Sequence, residues 1–319
     1  MDVNQVKALA DRILENVKKV IIGKDQEIRL VLTAMLTGGH VLMEDVPGTG
    51  KTVMAKSLSK SVNCAFSRIQ FTPDLLPGDV TGLSVFDASK AEFVFKPGPV
   101  FTNILLADEI NRATPRTQSA LLECMEEKQV TTDGVTRALS MPFLVIATQN
   151  PIETQGTFPL PEAQLDRFLI KLRLGKLSHA DSVSILNRFI QNDPLKTLKS
   201  VCTADELIEA QAFVKTCEVS SPVLDYIASV CERTHSAPGV ALGVSPRGMI
   251  SLMRACQAYA MIDGRDYVTP DDVKMLAVPV LAHRLAVRNA YGQTGQEEEA
   301  IKSVLDELET PTESIRQEK

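Results

Sequence analysis

One short stretch restricts what this chain can fold into more than any other: Val41 to Thr52, VLMEDVPGTGKT. Apolar Val41, Leu42 and Met43 predict a strand, Pro47 to Gly50 a turn, and Lys51 with Thr52 the start of a helix. Glycines in such a turn let backbone N–H groups converge on an anion, and the helix N-terminus adds partial positive charge. A lysine there reaches outer phosphates and a hydroxyl can ligate magnesium. Gly48, Thr49, Gly50, Lys51, Thr52 and Val53 are therefore candidate phosphate-binding residues. The consensus G-x-x-x-x-G-K-[ST] is broken once, by Asp45 at the first glycine position. A carboxylate repels phosphate, so either Asp45 points away or the loop differs at that end.

A chain of 319 residues predicts two domains. Hydrophobic content of 44% and charged content of 23% are those of a soluble globular protein. The net charge of −6 argues against a long-range field that attracts DNA, though not against a local basic pore. The six cysteines form no C-x-x-C pair and the four histidines lack metal-ligand spacing, which fits buried or incidental thiols in a reducing cytosol. The N-terminal MDVNQVKALADRILENVKK has no apolar signal core, and no window is long enough to span a membrane, so a cytoplasmic protein is expected.

Residues 3 to 19 predict an amphipathic helix with Val6, Leu9, Ile13 and Val17 on one stripe. Ile22 and Gly23 then precede a second helix carrying Ile28, Val31, Leu32 and Met35; that turn reads equally as an adenine pocket or as helix packing. After a strand over Cys64 to Phe71, two short alternating runs, Leu83 to Phe86 and Glu92 to Phe95, predict an inserted hairpin. Phe86, Phe93 and Phe95 are expected exposed on it, either to grip a partner or to pack the hairpin down. The apolar strand NILLA ends in Asp108 and Glu109. Acids at the end of a buried parallel strand are costly unless they face a cation or substrate at the carboxyl edge. Asp108 is the natural metal ligand, with Thr52, and Glu109 the residue that polarises an attacking water.

Thr114 and Pro115 open the next helix, with Gln118, Leu121, Leu122 and Met125 inward. A second hairpin turns at Asp133-Gly134, a type I′ signal. The buried strand FLVIATQN stops at Asn150, an amide able either to orient a water or to cap the Asn150-Pro151 turn. A short helix, Asp166-Arg167 and a last strand near Leu169 to Leu174 close the first domain. From Lys176 onward the pattern is helical, opened by a Ser178/Asp181 capping box, Ser221-Pro222, Ser245-Pro246 and Thr269-Pro270. Arg247 sits in a helix first turn, where the dipole disfavours a cation by about 0.3 to 1 kcal/mol unless an anion binds there. Residues 297 to 319 read as a short acidic helix (Ile301, Val304, Leu305, Leu308) and a frayed polar tail.

A phosphate-binding loop, a strand ending in Asp-Glu, a strand ending in Asn, an arginine closing the α/β region and a second in a helical region follow in that order. This series resembles the AAA+ ATPases, and the two hairpins resemble the branch with an insert in its second helix. The runs GGHVLMEDVPGTGKT, LLADEINRATPRTQSALLECMEEKQVTTDG, ATQNPIETQGTFPLPEAQLDRF and VTPDDVKMLAVPVLAHRL are similar to the MoxR family over nearly the whole chain. The resemblance implies an α/β core with a parallel sheet flanked by helices over residues 1–175, carrying hairpins near 82–97 and 129–138. It further implies an all-α lid over 176–296, followed by the acidic tail.

It also implies Lys51 and Thr52 on phosphate and magnesium, Asp108 and Glu109 as the Walker B acids, and Asn150 near the γ-phosphate. Arg167 would be a finger offered to the neighbouring subunit, against the alternative of a local pair with Asp166, and Arg247 a lid residue. Arg112 and Arg116 either line the subunit interface or flank the catalytic strand. The implied activity is ATP hydrolysis with Mg2+ in a ring, expected to be a hexamer. It would drive chaperone-like remodelling of an unknown client, with a von Willebrand factor A domain protein as partner. A metal-chelatase motor subunit is the alternative. A nucleic-acid motor is disfavoured, because the Phe86–Phe95 hairpin lacks the basic cluster needed to track phosphates.

Overall fold

The computed structural model describes residues 1–46, 48–151, 156–191, 193–288 and 295–312. Pro47 of the expected turn and the end of the polar tail lie outside the described residues. Two compact units emerge, Ala8–Gln211 and a second that joins Met1–Lys7 to Ala212–Lys319.

The first unit is built on five parallel strands: β1 (Val41–Glu44), β2 (Phe66–Gln70), β5 (Ile104–Asp108), β8 (Leu144–Gln149) and β9 (Ile170–Leu172), in the order β2-β5-β8-β1-β9. Strand β5 is buried throughout and β8 nearly so, which is why both read as continuous apolar runs. The helices of this region are α1 (Val3–Lys18), α2 (Asp25–Thr37), α3 (Lys51–Ser61), α4 (Pro77–Thr81), α5 (Pro115–Glu127) and α6 (Glu162–Leu165); α7 (His179–Gln191), α8 (Pro194–Thr197) and α9 (Ala204–Val214) follow β9, and the first residues of α1 and the last of α9 are counted with the second unit. The stripes predicted for α1 and α2 are inside: Val6, Leu9, Ile13, Val17, Ile28, Val31 and Leu32 expose no surface. In register, Met43 faces Thr148 and Ala107 faces Ala147, so β1, β5 and β8 end level with one another.

Two hairpins leave this frame. Strands β3 (Gly82–Asp87) and β4 (Glu92–Pro97) pair antiparallel, as do β6 (Gln129–Thr132) and β7 (Val135–Ala138). Positive φ at both Asp133 (53°) and Gly134 (75°) matches a type I′ turn. On the first hairpin Phe86 and Phe93 are 54% and 74% exposed and meet edge-to-face at 5.4 Å. Phe95 differs from expectation: it is half-buried, edge-on to Phe101 at 5.6 Å, with the Arg137 guanidinium 3.9 Å above its ring. The aromatic set therefore divides, one residue packing the hairpin down and two facing outward.

The second unit contains α10 (Ser221–Thr234), α11 (Pro246–Ile262), α12 (Pro270–Leu281) and α13 (Gln296–Glu307). Ser245 accepts from the Gly248 N–H, and Thr269 forms a capping box with Asp272, whose carboxylate also takes two hydrogen bonds of 2.7 Å from Arg265. One expectation is corrected here: the region is not purely helical, because β10 (Val240–Leu242) pairs antiparallel with β11 (Ala286–Val287). The short acidic helix forms as α13, with Ile301 and Val304 of its pattern buried; it packs on α10 and α12, and Glu307 pairs with Arg233 at 2.7 Å.

His40, just before β1, holds three elements of the first unit together. Its Nε2 lies 3.1 Å from the Met125 carbonyl and its Nδ1 accepts from the Val145 N–H at 3.0 Å, which sets a neutral tautomer. Burial pushes its pKa down to about 4. The unfolded chain takes up a proton near pH 6.5, so between these values the unfolded state binds more protons and stability falls as pH drops. The loss approaches about 3 kcal/mol by pH 4. Urea titrations at pH 6.5 and 4.5 should show a larger loss in the native chain than in His40→Gln; equal losses would remove His40 as the cause.

Candidate active site

The loop from β1 to α3 is shaped by backbone angles. Gly48 (φ 86°) and Gly50 (φ 97°) occupy the left-handed region, and among the described residues, chain neighbours apart, no atom lies within 4 Å of where a Cβ would stand on either. Glycine is needed for its φ, and the space beside it stays open. Thr49 Oγ1 donates to the Val46 carbonyl at 3.3 Å, and Thr52 and Val53 lie half-buried in the first turn of α3. Lys51 Nζ donates to the Asp45 carbonyl at 2.8 Å. Burial lowers the Lys51 pKa, opposed by the carboxylates of Asp45, Asp108 and Glu109. This ammonium therefore lies within electrostatic reach of the acids at the end of β5, two strands away.

Of the two outcomes open for Asp45, its side chain takes the first and turns away from the cradle. Oδ2 accepts from the N–H groups of Leu174 (2.8 Å) and Gly175 (3.1 Å), and Oδ1 from that of Val46 (3.0 Å).

Asp108 is buried at the end of β5, with Oδ1 accepting from Thr148 Oγ1 at 3.2 Å and Oδ2 from Arg68 Nε at 2.6 Å. Glu109 leaves the strand with φ 55°, a conformation costing about 1–3 kcal/mol in a non-glycine residue unless its surroundings hold it. Its N–H donates to Thr148 Oγ1 at 2.9 Å, and its Oε2 accepts from Gln70 Nε2 (2.8 Å) and Arg112 Nη1 (3.1 Å). Asn150 is buried one residue past β8, the strand beside β5. Lys51, Asp108, Glu109 and Asn150 thus meet along one sheet edge.

Three neighbours of the acids escaped the sequence reading: Arg68 and Gln70 on β2, and Thr148 on β8. Thr148 alone left a signal, a hydroxyl in an otherwise apolar run, which needs a partner when buried.

The other candidates lie elsewhere. Arg167, between α6 and β9, donates from Nη1 to the Leu122 carbonyl at 2.7 Å and reaches Glu126 at 3.5 Å, so α5 anchors it. Arg112 pairs with Glu109 just past the end of β5, and Arg116 is exposed on α5. Gly23 has φ 69° and lies against α7, where an added Cβ would be 2.5 Å from the Asp181 carboxylate. Arg247 is exposed in the first turn of α11, within the helical unit.

Residues 40–170 match the model of the ATPase family associated with various cellular activities (AAA), and residues 232–304 that of the AAA lid domain. The chain is 39% identical over 311 residues to the Chaperone MoxR1 of Mycobacterium tuberculosis, covering 94% of this chain and 82% of that one. It belongs to the MoxR family of AAA+ ATPases. This MoxR chain is also 48% identical to the uncharacterized protein YeaC of Bacillus subtilis, over 95% of both. The crystal structure of a candidate ATPase from Cytophaga hutchinsonii superposes with a TM-score of 0.88 at 35% identity, covering 97% of this chain and 98% of that one. The α/β core with its helical lid is therefore the AAA+ arrangement.

Thr148→Val would leave the half-buried Glu109 N–H without its acceptor and the buried Asp108 carboxylate without a donor, at a cost of about 1–3 kcal/mol. Thr148→Ser keeps both bonds and should regain most of that loss in urea unfolding. A serine variant as unstable as the valine would assign the effect to packing instead.

Proposed function

We propose that this MoxR-family chain hydrolyses ATP in a magnesium-dependent reaction and spends the energy on remodelling or activating a protein partner. The observation that carries this reading is the meeting of Lys51, Asp108, Glu109 and Asn150 along one sheet edge, next to an open glycine cradle. Gly48, Thr49, Gly50, Lys51, Thr52 and Val53 would bind the phosphates, with Ile22 and Gly23 on the adenine side. Thr52 and Asp108 offer hard oxygen donors that suit Mg2+, which when bound neutralises phosphate charge. Glu109 orients and polarises the attacking water, and Asn150 contacts the γ-phosphate region. Gln70 and Arg112 fix the Glu109 carboxylate by its Oε2, which leaves Oε1 to accept from the water.

In this reading residues 1–175 are the nucleotide core, 176–296 the lid and 297–319 the tail. Arg167 serves the site of the next copy in a ring of six, aimed by its contacts with Leu122 and Glu126. Arg247 acts from the lid. The client is gripped by the exposed Phe86 and Phe93, and a von Willebrand factor A domain protein is the expected partner. No helix among the described residues is long and apolar enough to cross a membrane, and we assign the activity to the cytoplasm.

Glu109→Gln should reduce turnover by about 10²- to 10⁴-fold while nucleotide still binds, read by phosphate release and equilibrium binding. Unchanged turnover would end the assigned role. Arg167→Ala and Lys51→Ala chains should each fall by about 10³-fold or more, yet recover activity when mixed, because each retains what the other lacks. Silence at every ratio, with co-assembly verified, would refute sharing between copies.

A further inference from the structure

We infer that Asp45, standing where other phosphate loops carry glycine, is a positioning residue that fastens the entrance of the nucleotide cradle to the chain leaving β9. The inference rests on the reading that residues 48–53 hold the nucleotide.

Asp45 is only 8% exposed. A buried carboxylate is tolerated when oriented N–H groups answer it, and such charge-assisted hydrogen bonds are about twice as strong as neutral ones. Three backbone amides do so here, those of Val46, Leu174 and Gly175. The preceding residue reaches the same segment: Glu44 pairs with Lys171 at 3.0 Å and accepts from Arg173 Nε at 3.0 Å. Burial works to raise the Glu44 pKa, but these two cations outweigh it and hold the carboxyl below its ordinary value. The end of β1 and the end of β9 are thus joined by charged side chains as well as by the sheet.

The segment that follows continues as a strap. The Lys176 carbonyl accepts from the buried Lys24 Nζ at 3.1 Å. Ser178 Oγ donates to Asp181 Oδ2 at 2.6 Å, and the Asp181 carboxylate lies against Gly23. Residues 174–181 therefore touch the phosphate loop at one end and the Gly23-Lys24 turn at the other. Both turns and the strap belong to the first compact unit.

Asp45 carries two loads with opposite fates. Its carbonyl takes the Lys51 ammonium, a bond that Lys51 gives up to reach a phosphate; its carboxylate holds the strap amides whether or not Lys51 is engaged. The side chain thus keeps the loop entrance fixed while the lysine changes partners, sparing the ordering entropy that a loose loop would lose on binding. Glycine would satisfy the loop backbone and forfeit this anchor.

The test uses the full-length chain, with fluorescent ADP titrations and amide hydrogen exchange at Leu174 and Gly175. Asp45→Gly, the consensus residue, should weaken ADP binding at least tenfold. Asp45→Asn keeps one oxygen for the strap and should fall between the two. ADP should slow exchange at Leu174 and Gly175 in the native chain and leave it fast in Asp45→Gly. A role in folding alone would raise exchange without changing the Kd of the folded protein. Lys51→Ala separates the two readings. If it binds ADP as the native chain does, the cradle assignment fails. If it loses ADP while Asp45→Gly binds within twofold of native, only the positioning role is overturned. Should Asp45→Gly not fold, Asp45→Asn decides: native affinity and native exchange overturn the role, and weakened affinity in a folded protein supports it.

Discussion

Five strands run in the same direction, so the polar residues that follow β1, β5 and β8 are delivered to the same edge of the sheet, level to within a residue. Both faces of the central strands are buried, which leaves that edge as the natural exit for charge. Each charge found there has a partner: Asp108 has Arg68 and Thr148, Glu109 has Arg112 and Gln70, Lys51 has the Asp45 carbonyl, and Asp45 has three amides. The ensemble is poised by mutual neutralisation. Any anion entering the cradle must compete for Lys51 against a carbonyl, an exchange of hydrogen bonds and not the exposure of a bare cation.

Much of this arrangement was legible because it depends on residue type and spacing. The strand–turn–helix of Val41 to Thr52, the apolar run into Asp108 and Glu109, and the Asp133-Gly134 turn each follow from local chemistry. What stayed hidden depends on which distant residues the sheet brings side by side. Arg68 reaches Asp108 because β2 lies next to β5, and neither residue predicts that neighbour. Phe95 looks like Phe93 in a string of alternating residues, yet Phe101 and Arg137 claim one and not the other. The seating of α13 was legible in spite of its acidic composition, because Ile301 and Val304 stand on one stripe and are the residues it buries. The two-residue β11 is too short to leave any pattern.

The anchoring of Arg167 connects features that the chain separates widely. Helix α5 begins at Pro115, a few residues after Glu109, and its Leu122 and Glu126 hold the Arg167 side chain. A shift of the loop carrying Glu109 therefore has a short mechanical route to the guanidinium. The helix thus links the loop carrying Glu109 to the side chain of Arg167.

The stacking of Arg137 on Phe95 has a consequence for load bearing. A hairpin alone is a compliant rod, since two strands joined by one ladder bend easily. Here a planar cation from β7 sits on an aromatic ring of β4, so a tug at the tip formed by Phe86 and Phe93 is borne by two ribbons at once. Through that one stacked pair a displacement at the tip is shared with the second hairpin, which lies in the segment joining α5 to β8.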